Sequence, residues 1–278
     1  MRNIIGGTLK IGRQELRSSA ISTSNQDTIL VRGRDLAGTL IGNIGFTEHF
    51  WLLLTGALPS AMQRQVLDAT LVAIAEHGLV PSVQAARMTL AAAPEALQGA
   101  VAAGILGCGS VILGSSEAAG QLFIQIAAEI AGGADIDAAV TRVVGEYRAA
   151  RRAIPGYGHP LHKRADPRAL RLFQVASEAG SSGTHAAIAH AVERLLPQLI
   201  GRPLSLNVSG AIPAVLLDVG YPPAALKGVP ILARTASLIA HLLEERSRPI
   251  GFALSHAAAQ AITYDGELPA GFKASDDE

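Results

Sequence analysis

Apolar residues recur at helical spacing along almost the whole chain, and this period constrains the fold more than any other feature. The clearest case opens at Asp166-Pro167, an N-cap followed by proline at the first helical position, and runs to Gly180. Within it Ala169, Leu172, Phe173 and Ala176 share one face, so that face is expected to be buried. The same period predicts helices over 47–55, 61–77, 82–92, 117–131, 136–152, 184–196, 211–218 and 232–246. Leu58-Pro59, Pro94, Gly132-Gly133, Pro155-Gly156, Gly201-Arg202-Pro203 and Tyr221-Pro222-Pro223 separate them. Only the first forty or so residues differ: turn formers surround a short β-like run at 28–31, which predicts a small hairpin or extended arm. An all-α protein follows. No internal repeat or flexible tether divides it, so a chain with two domains would pass between them more than once.

Composition narrows the function classes. The 278 residues are 49% hydrophobic and 17% charged, enough for a large core. Lys plus Arg and Asp plus Glu both total 23, so no charge excess points to nucleic acid or to an anionic membrane. The single cysteine, Cys108, has no intrachain partner for a disulfide, and the N-terminus interleaves charges where a secretory leader needs an apolar run; a cytoplasmic protein is the expectation. Residues 96–116 carry no charge over about a membrane's width, but five glycines and several polar residues interrupt them. They read as a buried helix running into a glycine-rich loop, with no membrane span expected.

The residues from Ala153 to Arg168 concentrate the chemistry. Pro155, Gly156, Gly158 and Pro160 surround His159; the glycines allow backbone N–H groups close to a ligand, and the prolines stiffen the loop. His162, Lys163, Arg164 and Arg168 follow within ten residues, so an anionic ligand such as a polycarboxylate or a phosphate-bearing cofactor is the physical expectation. On residue types alone, a histidine bonded within its own loop beside a solvated cationic face fits equally well. No further His, Cys or carboxylate stands at metal-ligand spacing, so no metal is expected.

The stretch GYGHPLHKRADPRA resembles the GxGHxxxKxxDPRA segment of the citrate synthase family. VRGRDLAGTLIGNIGFTEHFWLLLTGALP and ILARTASLIAHLLEERSRPIG are similar to two further stretches of that family, and LQGAVAAG to the approach to its first active-site loop. The short length and LNVSGAIPAVLLDVGY lean toward its citryl-CoA lyase branch. The resemblance implies a homodimer, with higher association left open. Each protomer would have a large helical domain, 1–114 with 210–278, and a small one, 115–209, carrying the GYGHPLHK loop. Its ligands would be an oxaloacetate- or citrate-like carboxylate and an acyl-CoA, with CoA thioester as substrate and no tightly bound cofactor. It further implies that His159 holds the reacting oxygen of the oxo acid, that Arg168, Arg234 and Arg248 bind carboxylates, and that Ile154, Pro155, Gly156, Tyr157, Gly158 and Lys163 receive CoA.

Two positions depart from the family pattern. Ile112 stands where a histidine would hydrogen-bond the thioester oxygen, and Ser209 where an aspartate would move the proton at the acetyl carbon. Isoleucine donates no hydrogen bond and a serine hydroxyl is a weak base, each change costing typically ~10²–10⁴-fold in rate. Two readings therefore stand: an enzyme making or cleaving the bond between an acyl-CoA and a 2-oxo acid, or a catalytically impaired relative that binds citrate, oxaloacetate or CoA as a regulatory or partner subunit. Altered chemistry with another acyl-CoA or oxo acid is a variant of the first.

Overall fold

A computed structural model describes residues 18–158, 165–181 and 183–272, without the side chains of Val111 and Ile112. His159 and Lys163 lie outside the described residues. The chain divides into two compact units, residues 1–60 and 61–278.

Among its described residues the first unit holds three short antiparallel strands, β1 (Ser22–Ser24), β2 (Ile29–Val31) and β3 (Arg34–Asp35), paired in sequence order with Ser22 opposite Val31 and Leu30 opposite Asp35. The Asn25 side chain accepts from the Asp27 and Thr28 N–H groups and closes the first turn. This small sheet bears out the expected hairpin and adds a third strand. A π-helical turn, Leu36–Leu40, is capped by Asp35, and α1 (Phe46–Thr55) follows. Val31, Leu40 and Leu52 form the unit's core.

The second unit is helical among its described residues: α2 (Ala61–Ala75), α3 (Pro81–Ala92), α4 (Leu97–Leu106), α5 (Gly114–Ala131), α6 (Ile136–Ala149), α7 (Pro167–Glu178), α8 (Thr184–Ile200), α9 (Val208–Asp218), α10 (Gly228–Ser247) and α11 (Gly251–Ala261). One hydrophobic core gathers α5, α6 and α8 around Phe123, Val140, Ile188 and Leu196. A second joins α3, α4 and α10 through Val83, Ala86, Leu90, Leu238 and Leu242.

The glycine-rich stretch expected as a loop after the helix at 97–106 is instead a π-helical turn, Gly109–Leu113, leading directly into α5. Wide π turns interrupt regular helices at functional sites more often than elsewhere. The helical stretch 223–247 is the one, among the described residues, long and apolar enough to cross a membrane. Of its most apolar 18-residue window 44% is buried inside the protein, and the stretch carries the buried charged residues Arg234 and Glu245, which a membrane span would not readily hold.

Candidate functional site

Asp166 organises the site. As N-cap of α7 its carboxylate accepts from the Arg168 N–H, and it also grips the Arg168 guanidinium through Nε at 3.0 Å and Nη2 at 2.9 Å. Its second oxygen accepts from the Val208 N–H at 2.9 Å, so one buried carboxylate ties α7 to the start of α9. Burial raises the carboxyl pKa, but the bonds and charge of Arg168, with the Val208 N–H, outweigh it and hold Asp166 below the usual carboxylate range.

Asn207 completes the joint. Its side-chain oxygen caps α9 through the Ser209 and Gly210 N–H groups, and its amide nitrogen donates to the Gly158 carbonyl at 2.6 Å. Asn207 N–H donates to Gly156 O, Gly158 N–H to Ser205 O, and Tyr157 bridges Leu206, so 156–158 pairs with 205–207 like a fragment of antiparallel sheet. The pairing is tight enough to demand glycine: Gly156 has φ +85°, and a Cβ there would lie 2.7 Å from Gly210 Cα. Gly156→Ala is therefore expected to cost about 2–4 kcal/mol, combining left-handed strain with overpacking. Thermal unfolding measures this, and an unchanged midpoint would contradict the packing.

These contacts place Arg168, Asn207, Val208 and Ser209 around a cavity of about 270 Å³ that is also lined by Ile74, His77, Val80, Ser82, Gly107, Ser115 and Arg234. No carboxylate is among its described lining residues. Arg234 comes from α10 and is 4% exposed, yet its Nε and Nη1 find no hydrogen-bond partner among the described residues. Burial pushes its guanidinium pKa down, against the opposing influence of Cys108 and Glu76. A buried donor fork without an acceptor is costly, and a carboxylate entering the cavity would relieve it.

The structure thus brings together three residues singled out from the sequence, Arg168, Arg234 and Ser209, and places Ile112 in the π-helical turn between two lining residues, Gly107 and Ser115. Arg248, at the C-terminal end of α10, is exposed and does not line this cavity. His77 is the residue the sequence reading missed: its Nδ1 lies 3.2 Å from Arg168 Nη1, 91 residues away in the chain. It stands alone after α2, and its only sequence signal is a polar aromatic at the end of a helix.

Ile154, Tyr157 and Gly158 line a different, open cavity of about 700 Å³ together with Arg148, Arg151, Arg152 and Arg202. Arg148 donates to Leu199 O at 2.6 Å, and Arg152 stacks 3.9 Å over the Tyr147 ring. Tyr157 anchors the loop from within: its hydroxyl donates to Ala189 O at 2.8 Å, and burial, with Glu193 nearby, pushes its pKa well above the usual phenol value. The Tyr157 ring also meets Phe123 edge-on at 6.5 Å. Four arginines around one hollow suit a phosphate-bearing ligand.

A sequence model of the family described as citrate synthase, C-terminal domain, matches residues 44–251. The citrate/2-methylcitrate synthase of Bacillus subtilis (strain 168) is 27% identical over 210 residues, covering 73% of this chain and 53% of that protein. This chain spans about half the length of the curated relatives it matches. Among solved structures, citryl-CoA lyase from Hydrogenobacter thermophilus superposes with a TM-score of 0.81 at 30% identity, covering 93% of this chain and 98% of that one. ATP citrate lyase from Methanothrix soehngenii, solved with citrate and coenzyme A, shares the fold at a TM-score of 0.74 and 23% identity, over 94% of this chain and 43% of that one. The family model spans three-quarters of the sequence and the citryl-CoA lyase fold covers nearly all of the chain at 30% identity, so the chain belongs to the citrate synthase family.

Proposed function

We propose that the protein makes or cleaves the carbon–carbon bond between an acyl-CoA and a 2-oxo acid, in the simplest case acetyl-CoA and oxaloacetate. The observation that carries this reading is the buried Arg234, whose Nε and Nη1 find no acceptor among the described residues, sharing a small cavity with Arg168 and His77. Two guanidinium groups suit the carboxylates of a citrate-sized ligand, and Asp166 holds one of them in a fixed orientation. His159, next to Gly158, serves the reacting oxygen, where negative charge develops. In this reading residues 115–209 are the small domain that closes over the ligand. The protein works as a homodimer, and Arg248 reaches the partner subunit's ligand.

The CoA nucleotide sits in the arginine-lined cavity, on Ile154–Gly158, Lys163 serves as a further cationic contact to it, and no tightly bound cofactor takes part. Arg151→Glu with Arg202→Glu is expected to weaken CoA binding at least tenfold, because two charge-assisted contacts become repulsive, while citrate affinity stays the same. Calorimetry with each ligand reads both, and an unaltered CoA affinity would remove the nucleotide from this cavity.

Ser209 supplies no base for the acyl carbon, so turnover is expected to be slow by the ~10²–10⁴-fold that a positioned acid or base contributes. The deciding experiment incubates the purified protein with citryl-CoA and follows oxaloacetate release. Release above the buffer rate supports the enzyme. Citrate binding without release returns the protein to a regulatory or partner subunit. Neither binding nor release overturns both.

A further inference from the structure

Glu76, which does not line the cavity, joins its two sides. The carboxylate sits at the end of α2, one residue before His77. One oxygen accepts from the Gly78 N–H and closes the turn that His77 occupies. The other is shared by two donors on α10: the Ser237 hydroxyl and His241 Nε2, the latter at 3.0 Å. Arg234, Ser237 and His241 follow one another at intervals of three and four residues, so they share one face of α10. Ser237 is 7% exposed, and the His241 side chain is 15% exposed with its Nδ1 buried.

The two cavity walls therefore meet at a single carboxylate: His77 on the α2 side, Arg234 on the α10 side. We propose that Glu76 is a positioning residue that, through Ser237 and His241, sets the placement of His77 and hence of the His77–Arg168 pair relative to Arg234. The proposal rests on reading the cavity as a carboxylate site, but the link itself is present whether or not a ligand binds. Although burial opposes ionisation, the Ser237, Gly78 and His241 bonds, with the His241 charge, hold the Glu76 carboxyl down to about 2, so the clamp is ionised at neutral pH. Glu76 is itself half-exposed, and its loss leaves neither a buried charge nor a cavity. Its effect on the site should thus exceed its effect on stability.

Ser237→Ala is the sharpest test, because it removes one anchor while keeping the Glu76 charge beside His77. Glu76→Gln is the second variant. Two readouts apply: citrate affinity by calorimetry, and, without ligand, the imaging of His77 through its imidazole carbon–proton NMR signal, assigned by its disappearance in His77→Gln. Both variants should move the His77 signal by more than a line width. They should also weaken citrate about tenfold, with thermal midpoints within about 2 °C of the parent. The double variant should lose little more than Glu76→Gln alone, since both act on one network. If the His77 signal stays in place in both variants, the proposal fails, whatever citrate does. If the parent protein binds no citrate while the signal still moves, the functional reading fails and the positioning link stands.

Discussion

Arg234→Met should weaken citrate binding a hundredfold or more and make the protein more stable. The guanidinium is almost wholly buried and two of its nitrogens have no acceptor among the described residues, so the ligand-free fold carries the desolvation cost of those two donors. Methionine fills a similar volume without that cost. Relief of an unsatisfied buried group is worth about 1–3 kcal/mol, a rise in midpoint of roughly 2–8 °C for a chain of this size. Binding moves the other way. Truncating one partner of a buried ion pair costs about 2–5 kcal/mol, so citrate affinity should fall a hundredfold or more. At a citrate concentration about a hundredfold above the dissociation constant, the parent gains ~2.7 kcal/mol of stability from mass action and the variant gains almost none. The two melting curves should therefore change order when citrate is added. A variant that is less stable than the parent, or that citrate still stabilises, would show that Arg234 serves packing and not an anion.

How much of this was legible in the sequence depends on the range over which each signal acts. α7 was readable because cap, proline and apolar face all lie within its own residues, and Asp166 does cap it. α9 was read from 211 but begins at Val208, because the cap that starts it, Asn207, owes its position to the pairing with Gly156 and Gly158 about fifty residues earlier. The π-helical turn at Gly109–Leu113 was hidden because its glycines signal a loop. α11 was missed altogether: nearly all its residues are exposed, so it shows no apolar period, and its first N–H groups are capped by Glu245 on the preceding helix. In the site, the resemblance of GYGHPLHKRADPR and the ILARTASL stretch placed Arg168 and Arg234 before any geometry. His77 could not be read in that way. A solitary histidine after a helix carries no periodicity, and only the folded chain puts its ring beside a guanidinium.

The largest loss of stability is expected from Arg87→Ala, at a residue that lines neither cavity. Arg87 lies on α3 with its side chain 3% exposed and uses its whole fork: Nε to Glu245 at 2.6 Å, Nη1 to Glu244 at 2.8 Å and Nη2 to the Arg248 carbonyl at 2.9 Å. Burial lowers its pKa, but the hydrogen bonds and charges of Glu245 and Glu244 prevail and hold it above the usual value. The Glu245 side chain, equally buried, turns its other oxygen to the Ile250 and Gly251 N–H groups and so starts α11. Removing the arginine leaves that carboxylate buried without its cation, a loss of about 3–5 kcal/mol. The midpoint should then fall by roughly 6–13 °C. Arg87→Lys keeps the charge but not the three-way fork, and should fall between the two. Pairing Arg87→Met with Glu245→Gln should recover part of the loss, because the neutral amide no longer needs a cation while its oxygen still accepts from the α11 N–H groups. If Arg87→Ala melts like the parent, the buried pair contributes nothing to stability. If the double variant is worse than Arg87→Ala, the damage comes from lost packing around α11, and the unpaired charge is not its cause.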